Sequence, residues 1–175
     1  MSKPSRTNAN EITGTHSRTF FVTSKTAQGR TLLQTDRMAN LFIEVFRENM
    51  RAGHFAVHEF VVMPDHVHLL MTVPAESTIE KAIQRIKGAF SFRAGRDLGF
   101  KGEIWQRGFS EVRIHDDGGY EQHRRYIENN PVKRGLVSVP EQYRFGSVYL
   151  KRKKRAEVEE RLSQQGLKPE PQKGL

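Results

Sequence analysis

The chain contains no cysteine, a single tryptophan and no apolar run long enough to cross a bilayer. Without cysteine, disulfide frameworks and thiolate metal sites are excluded, and this composition suits a reducing compartment, so we expect a cytoplasmic protein. The stretch MSKPSRTNANEITG at the start is polar and lacks the apolar segment of a secretory signal. We therefore expect no membrane contact.

Acidic residues are also in deficit: 20 Asp and Glu face 29 Lys and Arg, giving a net charge of +9. Residues 151–175 hold eight basic and four acidic side chains, so +4 lies there and +5 in residues 1–150. Such an excess favours a polyanionic partner such as nucleic acid, although it also fits a solvated basic surface. We predict a flexible N-terminus (1–16), one domain (17–150) and a basic tail (151–175).

Hydrophobic periodicity predicts alternating strands and helices. The predicted strands lie at 17–23, 55–63, 66–73 and 109–115. One helix spans 37–51 and is capped by Asp36, and a second begins at a Ser77/Glu80 capping box. A third helix spans 120–129 and is stopped by Pro131. This β-α-β-β-α-β order is that of an α+β, ferredoxin-like split βαβ fold. We expect an antiparallel sheet of four or five strands, two helices on one face, and the third helix near the histidine-bearing strand.

Two histidines begin the predicted strand at 66–73, within the stretch FVVMPDHVHLLMTV. Because side chains alternate along a strand, His66 and His68 share one face while Val67 and Leu69 point to the core. Paired imidazoles can hold a cation, but two ordinary polar side chains on a half-exposed strand are an alternative. Histidine-triad hydrolases would need a third histidine at Leu70. Two-histidine phosphoesterases would need a second His-x-Thr/Ser unit, which the sequence does not offer.

The third helix carries a second set of polar side chains. Tyr126 and Asn130 are four residues apart, so they share a helix face, with Gln122 one turn earlier. Basic residues surround the tyrosine, which would attract phosphate and lower the cost of a phenolate. The alternative is a packed aromatic ring with a solvated hydroxyl.

These motifs carry a family resemblance. MPDHVHLL followed some sixty residues later by YIENNPVKRGLV resembles the single-tyrosine HUH transposases, and more narrowly the REP-associated tyrosine transposases. WQRGFSEVRI and the Lys87-Gly88 pair are similar to that group as well, so the likeness covers about residues 17–150. The chain departs from the pattern at Asp65, where Asn is commoner, at Arg134, where a small residue is usual, and at Phe145-Gly146, where Trp-Ser is frequent.

The resemblance implies an activity and a site. His66 and His68 would be metal ligands with Asn130, the cofactor would be Mg²⁺ or Mn²⁺, and Tyr126 would be the nucleophile. The substrate would be single-stranded DNA beside a REP-type hairpin, cleaved and joined through a 5′-phosphotyrosine. Insertion-sequence relatives are dimers that exchange the tyrosine helix, whereas REP-associated forms act as monomers, so we expect a monomer, with a dimer as the alternative.

Basic residues at several positions are candidates for contacts with DNA, although each could equally belong to a solvated face. Trp105 could stack on an unpaired base or lie in the core. The candidates are Lys81, Arg85, Lys87, Arg93, Trp105, Arg107, Arg124, Arg125, Lys133, Arg134, Lys151, Arg152 and Lys153.

Two other functions remain open at the level of sequence. One is a transposase-derived protein that binds DNA hairpins without catalysis. The other is a metal-dependent phosphodiesterase that uses water in place of the tyrosine, which would leave no protein-linked DNA.

Overall fold

The computed structural model describes residues 16–165. The predicted flexible segment therefore lies almost entirely outside the described residues, as does the end of the basic tail. Within them the strands are β1 (Arg18–Lys25), β2 (Ala56–Val62), β3 (His66–Val73) and β4 (Ser110–Ile114). The α-helices are α1 (Asp36–Arg51), α2 (Ile79–Leu98), α3 (Asp117–Lys133) and α4 (Ser147–Gln164). None of the helices in residues 16–165 has the length and apolarity to span a bilayer.

The four strands form one antiparallel sheet in the order β2-β3-β1-β4. The ferredoxin-like α+β prediction is therefore confirmed, with β1 and β3 in the centre. The chain from 143 to 147 also runs beside the outer edge of β2, where Gly146 bridges Val61 and the amide of Val62 donates to the carbonyl of Phe145. That segment satisfies backbone groups that an open edge would leave unpaired.

Helices α1 and α2 cover one face of the sheet. The alternation in β3 sends Val67, Leu69, Met71 and Val73 to this face, as predicted from the sequence. Between the helices, Phe42 packs edge-on against Phe90, with ring centroids 5.5 Å apart. This layer is the main core and keeps β3 rigid.

Helix α3 lies on the opposite face, over a smaller apolar cluster of Val61, Met63, Leu70 and Ile127. His66 and His68 alternate with the core residues of β3, so they point toward α3. The fold thus sets the two histidines against the tyrosine-bearing helix, as the sequence predicted.

Two predicted helix starts were wrong by one residue. Thr35 and Thr78 cap α1 and α2, where Asp36 and Ser77 were expected, because their hydroxyls accept from the amides of Met38 and Lys81.

The predicted limits of the third helix were also wrong. Helix α3 begins at Asp117, since Asp116 accepts from the amide of Gly119 and so draws both glycines into the first turn. It continues through Pro131 to Lys133, because the amide of Leu136 donates to the Pro131 carbonyl and that of Arg134 to the Asn130 carbonyl. Pro131 has no amide hydrogen to donate, but these two bonds keep the last turn of the helix closed. Tyr126 and Asn130 consequently share one unbroken helix.

Helix α4 is longer than the charged segment predicted at 151–161, and the predicted domain boundary at 150 lies inside it. Its first residue, Ser147, is buried and donates to the buried carboxylate of Glu59, 2.6 Å away. The remainder of the helix is mostly exposed. Its start is therefore anchored to β2 while its basic surface faces solvent.

Candidate active site

Four side chains predicted to act together lie together. The ring centroids of His66 and His68 are 4.6 Å apart, and those of His68 and Tyr126 are 5.2 Å apart. The Asn130 side-chain nitrogen is 3.3 Å from Nε2 of His68. Strand β3 supplies the imidazoles and one face of α3 supplies the phenol and the amide.

His68 is held by the neighbouring strand. Thr23 on β1 is its cross-strand partner, and the Thr23 hydroxyl lies 2.8 Å from Nδ1 of His68. With Nδ1 donating to that hydroxyl, Nε2 keeps its lone pair and accepts from the Asn130 amide. His68 is only 4% exposed, and burial, together with the charge of His66, lowers its pKa to about 3. A neutral imidazole whose Nε2 carries no proton is the form that binds a metal, and a cation bound there would replace the hydrogen bond from the Asn130 amide.

His66 is held by its sequence neighbour. Its Nδ1 donates to Asp65 at 2.6 Å, and Asp65 also accepts from Arg134, 3.1 Å away at the end of α3. Burial would raise the pKa of Asp65, but the hydrogen bond from His66 and the charges of His66 and Arg134 hold it below its usual value. A carboxylate on Nδ1 fixes the ring and leaves Nε2 available to a ligand.

Thr23 was not predicted from the sequence as a positioning residue, and Asp65 stood out there only as a departure from the family pattern. The adjacency of Asp65 and His66 was visible in the sequence. The pairing of Thr23 with His68 depends on the register of β1 against β3, which periodicity alone does not give.

The donor set fits a divalent cation. Asn130 is 6% exposed, and its side-chain oxygen is buried with no hydrogen-bond partner within the described part of the chain. A buried, unpaired amide oxygen costs free energy that a bound cation would recover. No cluster of three or more His, Cys, Asp or Glu suited to a metal exists among residues 16–165, so a third protein ligand here would be this amide. Two imidazoles and one amide leave further positions open for oxygen ligands.

Tyr126 lies at the border of the site with solvent. Its side chain is 40% exposed, and its ring meets Phe21 at 90° with centroids 5.7 Å apart. Phe21 also stacks on His68, with centroids 5.3 Å apart, and so shields the inner imidazole. The ammonium of Lys133 lies 5.4 Å from the centroid of the tyrosine ring. The phenol is therefore accessible to solvent and lies beside the imidazoles, with the ammonium of Lys133 near its ring.

An open cavity of about 780 Å³ adjoins the tyrosine on the surface of α3. Tyr126, Phe21 and His123 give it aromatic walls, and Gln122, singled out from the sequence, lines it as well. The site thus has room for a ligand larger than a phosphate group.

Comparison with known proteins identifies the family. The family described as "Transposase IS200 like" matches residues 10–130, well over half of the chain. The chain belongs to this transposase family. It shares 30% identity over 132 residues with a Haemophilus influenzae protein assigned by name to the REP-associated tyrosine transposases, covering 70% of this chain and 75% of that protein. An Escherichia coli REP-associated tyrosine transposase is 28% identical over 132 residues, covering 75% of this chain and 76% of the relative.

Solved structures agree with this assignment. A REP-associated tyrosine transposase bound to a REP hairpin superposes with a TM-score of 0.64 at 26% identity, covering 100% of this chain and 93% of that one. A transposase structure from Deinococcus radiodurans, at 20% identity and a TM-score of 0.51, shares the fold and covers 73% of this chain and 97% of that one. The likeness to REP-associated tyrosine transposases predicted from the motifs is confirmed.

Most of the basic residues on and just after α3 form ion pairs, and one lies beside the tyrosine. Arg124 and Arg125 both donate to Glu121, at 2.7 and 2.8 Å, and Arg124 also reaches Glu128. Lys133 flanks the tyrosine ring, whereas Arg134 binds Asp65. Lys133 is therefore the basic residue of α3 placed best to meet a phosphate beside the tyrosine.

The candidates on α2 lie on the other side of the sheet from the histidines, and two of them are engaged elsewhere. Lys87 donates to the carbonyls of Gln106 and Gly108, both at 2.9 Å, and burial lowers its pKa. Arg93 pairs with Glu44, Glu48 and Asp97. Lys81 and Arg85 line a separate small cleft. None of the four is brought to the tyrosine.

Trp105 is 7% exposed and packs against Phe42 and Phe90, with ring centroids 5.6 and 5.5 Å away. Of the two interpretations of this residue, the burial of the ring supports the core one, and the Lys87 ammonium lies 5.6 Å from its centroid. Arg107, two residues later, is exposed.

On α4, Lys151 is bound to the buried carboxylate of Glu59. Arg152 is exposed, and Lys153 approaches Glu157 at 4.0 Å. This basic surface is separate from the histidine pair.

Proposed function

We propose that this transposase family member cleaves and rejoins single-stranded DNA beside REP-type hairpins through a tyrosine nucleophile and a divalent cation. The observation that carries the proposal is the meeting of Tyr126 and Asn130, on one face of α3, with the two imidazoles of β3. The E. coli relative named a REP-associated tyrosine transposase and the related structure bound to a REP hairpin support the choice of substrate.

The cation would be held by Nε2 of His66, Nε2 of His68 and the side-chain oxygen of Asn130. Mg²⁺ and Mn²⁺ are the candidates, and the two imidazoles favour Mn²⁺ over Mg²⁺. When bound, such an ion supplies Lewis-acid polarisation of a phosphoryl oxygen. Thr23 and Asp65 hold Nδ1 of the two imidazoles, and so orient Nε2 of each ring for such an ion.

The chain's own chemistry is a transesterification. The Tyr126 oxygen attacks the scissile phosphorus in line with the departing 3′-oxygen, and the phenolic proton leaves to solvent. The P–O3′ bond breaks as the tyrosine–phosphorus bond forms, and the departing 3′-oxygen takes a proton from solvent, giving a 5′-phosphotyrosine and a free 3′-hydroxyl. Since one phosphodiester replaces another, a second 3′-hydroxyl can reverse the step and join strands without ATP. Lys133 stabilises negative charge beside the phenol.

We also propose that one chain is sufficient, because the contact between Asn130 and His68 forms within a single chain. A monomer is then the active unit, and DNA is the only partner the reaction requires.

The test uses a pool of DNA hairpins flanked by randomised single strands, with Mn²⁺ or Mg²⁺. Wild-type protein should form DNA adducts that survive denaturing electrophoresis, and Tyr126→Phe should form none while binding DNA. Tyr120→Phe, on the same helix with its ring against His58, is the matched control and should keep full adduct yield. Adducts from Tyr126→Phe would contradict the nucleophile. DNA binding without any wild-type adduct would favour a non-catalytic hairpin-binding protein.

A further inference from the structure

The cavity beside Tyr126 is not used by the chemistry described above. Its volume of about 780 Å³ falls in the range of roughly 300–1,000 Å³ typical of small-ligand pockets. It opens on the surface of α3, and the reacting tyrosine is itself part of the wall. Whatever occupies it during cleavage therefore adjoins the scissile phosphate.

The walls have the chemistry of a nucleobase site. The Phe21 and His123 rings lie with centroids 4.6 Å apart, and Tyr126 stands edge-on to Phe21. These rings form an aromatic side of the kind on which unpaired bases stack. Nδ1 of His123 donates to the carbonyl of Gly119 at 2.7 Å, so its Nε2 is left as an acceptor.

Two side-chain amides give the cavity groups that distinguish one base from another. Gln122 and Asn129 both line it. Asn129 donates one N–H to the carbonyl of Arg125, 2.9 Å away, which fixes the amide and leaves its oxygen as an acceptor. Amides offer donor and acceptor together, and this pairing is what base edges require.

The charge of the cavity suits a nucleotide as well. Arg125 and Lys133 are part of the lining, and Lys133 lies over the tyrosine ring. The carboxylate in the lining, Glu121, is engaged by Arg124 and Arg125, and their hydrogen bonds lower its pKa to about 2. A negatively charged backbone can therefore pass along the rim while a base enters.

From these observations we propose that the cavity is a base-selective subsite for one unpaired nucleotide next to the scissile phosphate, with Gln122 and Asn129 contacting the base edge. The proposal rests on the proposed function, because it takes single-stranded DNA as the substrate. It adds that the protein itself, at α3, contributes to the choice of cleavage sequence.

The test measures binding, so it does not depend on cleavage. Hairpins with randomised flanking strands are selected by retention on Tyr126→Phe protein and then sequenced. We expect a base preference at an unpaired position, and we expect Gln122→Ala or Asn129→Ala in the same background to weaken it. Both side chains are exposed, so neither change threatens the fold. Gln84→Ala, an exposed glutamine on α2 away from the site, is the matched control and should keep the preference.

A second measurement replaces each flanking nucleotide of the selected strand by an abasic residue. Affinity should fall by about 5- to 100-fold at one position, the range that stacking on aromatic side chains gives, and much less elsewhere. Unchanged selection in both amide variants, together with full tolerance of every abasic replacement, would overturn the subsite. Failure of the proposed function is a separate result, since it is the absence of wild-type adducts on the same strands.

Discussion

Acid should destabilise this protein through His68 in particular. The pKa of this buried imidazole is about 3, whereas an unfolded histidine titrates near 6.5. Between these values the unfolded chain binds a proton that the folded chain refuses, so stability falls as pH falls from 6.5 toward 3. Each unit of difference corresponds to about 1.4 kcal/mol, so lowering the pH from 7 to 4 should cost about 3 kcal/mol at this residue.

The assay is urea denaturation at pH 7 and pH 4, with a chelator present so that no metal contributes to stability. Carboxylates with low pKa values, such as Asp65, also lose stability in acid, so the quantity to compare is the difference between wild type and His68→Gln. The variant should lose about 3 kcal/mol less than wild type over this interval. His54→Gln, in the loop after α1, controls for removal of a histidine as such. An equal loss in wild type and His68→Gln would refute the burial argument.

Three further changes test separate parts of the structure. Thr23→Val removes the hydroxyl that orients His68, so Mn²⁺ affinity should fall by about 10-fold or more in a calorimetric titration, with little change in DNA binding. Lys87→Ala should cost about 1–2 kcal/mol of stability in urea denaturation, since two loop carbonyls lose their donor, whereas the exposed Arg107→Ala should cost almost nothing. A mixture of Tyr126→Phe and His68→Gln proteins should form no DNA adduct, because each chain builds its own site; restored activity would show helix exchange between chains.

The sequence was sufficient for the architecture and for the four central residues. Alternation in β3 predicts that His66 and His68 face away from the core, and a four-residue spacing predicts that Tyr126 and Asn130 share a helix face. Both predictions depend only on local periodicity, so they can be made without knowledge of the fold. The family motifs then join the two elements.

What the sequence could not supply depends on contacts between distant segments. Lys87 is a surface cation by its position in the sequence. In the structure its ammonium donates to the carbonyl of Gln106, in a loop 19 residues further along. Trp105 could stack on a base or lie in the core from the sequence alone, and its burial decides for the core. Pro131 was predicted to stop α3, but local backbone bonds from the amides of Arg134 and Leu136 extend the helix to Lys133. For Lys87 and Trp105, side-chain contacts with distant segments decide the outcome.

The most direct test of the central claim is to locate the DNA on the protein. Wild-type chain is reacted with the hairpin pool and Mn²⁺, digested with protease and nuclease, and analysed by mass spectrometry. We expect a nucleotide attached through its 5′-phosphate to the peptide that contains Tyr126. Attachment to another tyrosine, such as Tyr120 or Tyr149, or cleaved DNA with no peptide attached, would contradict it.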